Sequence, residues 1–81
     1  MRIELALFAS LERYLPEGEP SSGRRTRMMD LPDGTTVGEV VACLGLPDDP
    51  RVVFIDGRGV EEDAYLREGA RLAIFPPVAG G

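Results

Sequence analysis

The chain contains no histidine, no lysine and a single cysteine, Cys43. One thiol excludes a disulfide framework within the chain, and without histidine too few ligands remain for a zinc or iron–sulfur site assembled from it alone. This cysteine usage fits a reducing cytosol. All nine basic residues are arginines, so no side chain can form a Schiff base or accept an isopeptide bond. If the chain makes acyl links, it is the donor. Long apolar runs are also missing, and none approaches the length that spans a bilayer. The N-terminus opens on an alternating pattern, Arg2-Ile3-Glu4-Leu5-Ala6-Leu7-Phe8, instead of a basic region followed by an apolar stretch. A cytoplasmic protein without a membrane segment is expected.

With 81 residues there is room for one domain, and a domain this small buries only about 60% of its unfolded surface, which disfavours a deep catalytic cavity. Function is therefore expected on a surface, a loop or a terminus. The 43% hydrophobic and 28% charged residues are those of an ordinary folded domain. A formal charge of −5, from 14 acidic and 9 basic residues, disfavours nucleic acid and favours a protein partner with a basic face.

Ile3, Leu5 and Leu7 recur at period two and predict a half-buried strand, with Ala6 and Phe8 pointing the other way. Ser10 is placed to cap a short helix through Leu11 and Leu15, ended by Pro16 and Gly18. Residues 16–25 (PEGEPSSGRR) have no periodicity and read as a mobile loop. A weaker strand is expected over 26–31, then a turn at Pro32-Asp33-Gly34. Thr36-Val37-Gly38-Glu39 is a capping box, and Val37, Val40, Val41 and Leu44 form the apolar face of the helix it starts, with Gly45 and Pro47 as the stop. Val52–Ile55 followed by Asp56-Gly57 and Arg58–Val60 predicts a β-hairpin. After a Glu68-Gly69 turn, Arg71–Phe75 is the last strand, and Pro76-Pro77 ends it because neither residue donates to a ladder.

This order predicts an α+β layer architecture: residues 1–75 form one mixed sheet packed against one main helix, with a short additional helix, and 76–81 form an extended tail. Leu72 and Ile74 are expected in the core with Ile3, Leu5 and Leu7. Ala73 and Phe75 then face outward with Ala6 and Phe8, and if their strands are neighbours the four residues form an exposed apolar patch suited to a protein interface.

The last six residues, Pro76-Pro77-Val78-Ala79-Gly80-Gly81, carry the most information. Extended at roughly 3.3 Å per residue they reach about 20 Å, enough to thread a channel in another protein. The prolines stiffen the base, small side chains narrow the far end, and Gly80 and Gly81 let an enzyme's backbone approach the carboxylate from any side. A carboxylate needs activation before it can act as an acyl donor, usually as an acyl adenylate. A Gly-Gly end alone arises by chance in roughly one chain in 200 at ordinary glycine usage, so it is the preceding Phe75-Pro76-Pro77 that gives it weight. The other candidates are weaker. Cys43 is expected at the edge of the apolar helix face as a small hydrophobe. The acidic runs Asp48-Asp49 and Glu61-Glu62-Asp63 read as solvated loops, with docking to a basic partner as the alternative.

Phe75-Pro76-Pro77-Val78-Ala79-Gly80-Gly81 resembles the C-terminal signature of the molybdopterin synthase small subunit, the MoaD/ThiS-type ubiquitin-like sulfur carriers. The Asp33-Gly34-Thr35-Thr36-Val37 segment, the hairpin and the Glu68-Gly69-Ala70-Arg71 turn match that family in order and spacing. Ile55-Asp56-Gly57-Arg58 lacks the asparagine of many relatives, and the 16–25 loop is unusual in length and composition for the family. The resemblance implies a β-grasp fold with its first and last strands parallel at the sheet centre. It implies that the chain binds no cofactor, and that an E1-like adenylyltransferase uses ATP to adenylate the Gly81 carboxylate. Sulfur then replaces AMP, and the Gly81 thiocarboxylate enters the large synthase subunit, in an expected heterotetramer, to sulfurate the pterin precursor. Phe75, Phe8 and the tail residues Pro76, Pro77, Val78 and Ala79 would contact these partners. Two alternatives stay open: a carrier for thiazole or cysteine biosynthesis, and a noncovalent ubiquitin-like binding module.

Overall fold

A computed structural model of the chain describes residues 1–77. The strands are β1 (Arg2–Leu7), β2 (Thr26–Asp30), β3 (Val52–Ile55), β4 (Arg58–Gly59) and β5 (Arg71–Phe75), with a 3-10 helix at Ala9–Tyr14 and the helix α1 at Val37–Leu44. They form one five-stranded sheet in the order β2-β1-β5-β3-β4. β1 and β5 run parallel, with Leu5 opposite Leu72 and Leu7 opposite Ile74, while the other pairs are antiparallel. This is the ubiquitin-like β-grasp, a mixed sheet with a main helix and a short second one.

Period-two alternation sends Ile3, Leu5 and Leu7 of β1, Val53 of β3, and Leu72 and Ile74 of β5 to one face, where they join Val37, Val40 and Val41 of α1 in a single core. α1 starts where its capping box predicts. Thr36 Oγ1 accepts the Glu39 amide N–H at 3.3 Å, and the Thr36 N–H donates to Glu39 Oε1 at 3.1 Å. Gly45 closes the helix at φ 71°, in the left-handed region that costs glycine nothing. The β3–β4 hairpin turns at Asp56-Gly57, whose φ values of 51° and 83° are the positive pair that this dipeptide supplies.

Three side-chain expectations need correction. Ser10 does not cap the first helix: Phe8 holds the cap position without a side-chain bond, and Leu11 N–H already closes on the Phe8 carbonyl at 3.0 Å. Ala9, at φ 52°, turns the backbone one residue before a Ser10 cap would act. Ala6 is fully buried, because the register sets its short methyl between Thr26 of β2 and Ala73 of β5. Cys43 is exposed. At about 100° per residue it lies about 110° from the centre of the Val37-Val40-Val41-Leu44 stripe, outside the apolar face.

The loop before β2 is organised beyond what its composition predicts. Pro20 pairs with Arg27, and Thr26 Oγ1 accepts the N–H groups of Ser22 and Gly23 at 3.0 Å each. Ser21 Oγ also donates to Glu4 at 2.6 Å, tying the loop to β1.

Candidate functional site

β5 lies at the sheet centre, and Phe75 is its last residue before Pro76 and Pro77. Because β1 runs parallel to β5, the residue leaving β1 arrives at the same end of the sheet. Phe8 N–H donates to the Ile74 carbonyl at 3.2 Å, and the Phe8 ring stacks on Phe75 with centroids 4.3 Å apart and planes 8° from parallel. Phe54 of β3 meets Phe75 edge-on at 5.7 Å and 89°. These are all three phenylalanines of the chain, and stacked and edge contacts are the two arrangements that aromatic quadrupoles favour.

The cluster occupies the face of the sheet opposite the main core. Val52, paired with Phe75, is 47% exposed there, and Met28 of β2 is 38% exposed. The expected apolar patch therefore exists in altered form: it keeps Phe8, Phe75 and half-buried Ala73, loses Ala6, and gains Phe54 and Val52. Period two puts Val52 and Phe54 on one face of β3, but they join this patch only through the pairing of β3 with β5.

Beside the cluster lies a cavity of about 550 Å³, bounded by Phe8, Leu11, Phe75 and Pro76 on one side and by Pro47 and Arg51 on the other. Arg51 holds that second wall in place. It pairs with Glu62 through bonds of 2.7 and 3.3 Å and donates to the Pro47 carbonyl at 2.6 Å. A guanidinium can serve all three acceptors because its donors are fixed in a planar fork. Residue spacing carries no sign of this clamp, as Arg51 and Glu62 sit in different loops. The acidic residues Asp48, Asp49, Glu61 and Asp63 are solvent-exposed, as expected.

Further along the same outer face, Glu4 accepts the Ser21 hydroxyl and lies 3.8 Å from Arg71. The serine hydrogen bonds, and to a smaller degree the Arg71 charge, hold its carboxyl below the usual glutamate range. The arrangement as a whole fixes the direction in which the chain leaves β5 and offers an apolar surface beside that exit. Of the predicted site residues, Phe8, Phe75, Pro76 and Pro77 are brought together here; Val78, Ala79, Gly80 and Gly81 lie outside the described residues.

A family model, that of the ThiS family, matches residues 18–81, from the loop before β2 through the Gly-Gly end. The chain belongs to the ThiS family. Among solved structures, this ThiS-family chain is similar to the small archaeal modifier protein SAMP1 of Haloferax volcanii, with 27% identity, a TM-score of 0.71 and full coverage of both chains. It is also similar to the Haloferax volcanii HVO 2177 protein, with 26% identity, a TM-score of 0.76, and coverage of 100% of this chain and 87% of that one. The third similar structure is a complex of subunits 1 and 2 of the molybdopterin-converting factor from Helicobacter pylori. Its matched chain is 17% identical, with a TM-score of 0.61 and full coverage of both chains, and shares the fold. No curated protein matches the sequence significantly. The ThiS assignment and these neighbours place the chain among MoaD/ThiS-type ubiquitin-like proteins, the sulfur-carrier form of the β-grasp. No helix among the described residues is long and apolar enough to cross a membrane.

Proposed function

We propose that this ThiS-family chain is the sulfur carrier of molybdopterin-type cofactor synthesis, working through the carboxylate of Gly81. In the first step that carboxylate attacks the α-phosphorus of ATP on an E1-like adenylyltransferase, releasing pyrophosphate and leaving an acyl adenylate. Sulfur at the hydrosulfide level then displaces AMP to give a thiocarboxylate. The large synthase subunit receives the tail, and the thiocarboxylate sulfur attacks the pterin precursor. Thiocarboxylate sulfur is a soft nucleophile on a removable acyl group, so it is delivered without release of free sulfide.

The observation that carries this reading is the sequence Phe75-Pro76-Pro77-Val78-Ala79-Gly80-Gly81 emerging from the central strand beside the Phe8–Phe75 stack. The outer apolar face is the surface proposed for the large subunit, and the Helicobacter pylori pair, one chain of which shares this fold, supports such a partner. The net charge of −5 favours an activating enzyme with a basic docking face.

A second reading follows from the likeness to a small archaeal modifier protein at 27% identity. Here the same activated Gly81 passes to an amine of another protein, and an amide forms. One experiment separates the two: the intact mass of the chain after incubation with ATP, a sulfur donor and the host's adenylating enzyme, beside a variant lacking Gly81. A gain equal to one oxygen replaced by sulfur, on the terminal residue and absent from the variant, is expected for the carrier. Gly81-linked adducts on other proteins without that gain would favour the modifier. An unchanged mass and no Gly81-linked adducts, with an enzyme active on another carrier, would overturn both.

A further inference from the structure

The cavity beside the base of the tail has no part in the chemistry proposed above, and its lining says what it can hold. Phe8, Leu11 and Phe75 give it apolar walls. Four prolines, Pro47, Pro50, Pro76 and Pro77, line it as well, and none has a backbone N–H to offer. An anion or a carbonyl entering here therefore meets few donors. An aliphatic chain can lie against these walls, and aromatic faces such as those of Phe8 and Phe75 also attract cations.

Two charged residues line the cavity, Asp49 and Arg51, and their side chains are not paired with each other. Arg51 gives Nε and Nη2 to Glu62 at 2.7 and 3.3 Å, and Nη1 to the carbonyls of Pro47 and Asp49 at 2.6 and 3.2 Å. Its charge is matched by Glu62, while its last bond pins the backbone of Asp49. Asp49 itself is exposed, and its carboxylate makes no hydrogen bond or ion pair among the described residues. Asp48 precedes it and is exposed too. The cavity thus combines apolar walls with an unmatched carboxylate on a pinned backbone, beside the exit of the tail.

We propose that this cavity receives an arginine or lysine side chain from the basic face of the enzyme that activates Gly81. The methylene stem lies along Leu11 and the prolines, and the cationic head meets Asp49. Long cationic side chains suit such a site because they bury carbon while the charge stays at the rim. The inference rests on the activation of Gly81 proposed above and names the place where the docking charge acts. Pro76 and Pro77 form part of the wall, so a side chain seated here touches the base of the tail itself. One contact then both docks the chain and sets the direction of its terminus.

The test is the affinity of the chain for the host's adenylating enzyme, measured by calorimetry without ATP. It is run in dilute buffer and in about 1 M salt, where charges are screened within about 3 Å. Asp49→Asn is expected to bind about tenfold more weakly in dilute buffer, the effect of losing one charge-assisted hydrogen bond, and to come within about twofold of the parent at high salt. Ser10 is an exposed residue of the lining, so Ser10→Trp fills the cavity from its rim and should weaken binding more than about tenfold at both salt concentrations. Asp30→Asn removes the same charge at the opposite end of the sheet, where Asp30 pairs with Arg2, and should change affinity less than about twofold. An Asp49→Asn deficit no larger than that of Asp30→Asn, or one that persists in salt, would overturn the cationic occupant. Parental affinity in Ser10→Trp, or no binding by the parent chain, would overturn the docking site. Binding without pyrophosphate release once ATP is added would instead count against the activation of Gly81, and the variants would still decide where the enzyme docks.

Discussion

The two faces of the sheet are made by the same strands, yet they are finished differently. On the inner face Ile3, Leu5, Leu7, Leu72 and Ile74 are completely removed from solvent. On the outer face Phe8, Phe54 and Phe75 are only half-buried and Val52 is exposed. The inner residues are branched aliphatics that interdigitate with the α1 valines, and the outer ones are flat rings that pack against one another and leave a surface. Period-two alternation separates the roles cleanly, so stability can be carried by one set of positions and recognition by the other.

This contrast can be broken most severely from the inside. Leu72→Ala should cost about 2–5 kcal/mol, a large share of the stability of so small a domain, and its urea midpoint should fall accordingly. Phe75→Ala, on the other face, removes both ring contacts at once. A loss of about 2 kcal/mol is expected in the same titration, together with a more than about tenfold weaker affinity for the partner enzyme measured by calorimetry. If Leu72→Ala lowered affinity as much as Phe75→Ala at a temperature where both variants are folded, the two faces would not be separate in function.

Reading the sequence recovered whatever depends on local rules. The capping box at Thr36 and Glu39, the Asp56-Gly57 turn and the alternation in β1 and β5 each act within a few residues, and the fold honours them. Sequence reading failed where a residue's fate depends on a neighbour far along the chain. Ala6 is buried by strands that contribute Thr26 and Ala73, and Phe54 joins the aromatic cluster only because β3 pairs with β5. The Arg51–Glu62 clamp joins two loops, and the order of the 20–25 loop depends on Thr26 and Glu4. Cys43 is a different case, since the helical angle alone puts it outside the apolar stripe. Half of the candidate site was therefore legible: its tail base and two of its rings, without the third ring or the clamped wall opposite.

Smaller changes sharpen the comparison. Ala9 holds a left-handed backbone directly after Phe8, a conformation that disfavours any residue with a Cβ. Ala9→Gly should raise stability by about 0.5–1 kcal/mol, visible as a higher melting temperature, with the Phe8 stack unchanged. The smallest effect concerns Glu4. Its carboxyl titrates below the usual range in the folded state, so its contribution is present above the unfolded-state value and is lost as the pH falls through the folded one. Replacement by Gln should flatten the acid side of the stability curve, and urea titrations between neutral and acid pH will show whether it does.

The central position of β5 has a mechanical consequence. A force applied to the tail runs straight into a strand held by hydrogen bonds on both flanks, parallel to β1 and antiparallel to β3. Those ladders are loaded along the strand axis, so their bonds share the load and must fail together, whereas a strand at the sheet edge pulled outward would unzip one bond at a time. A partner can therefore grip and tug the end of this protein without unravelling it.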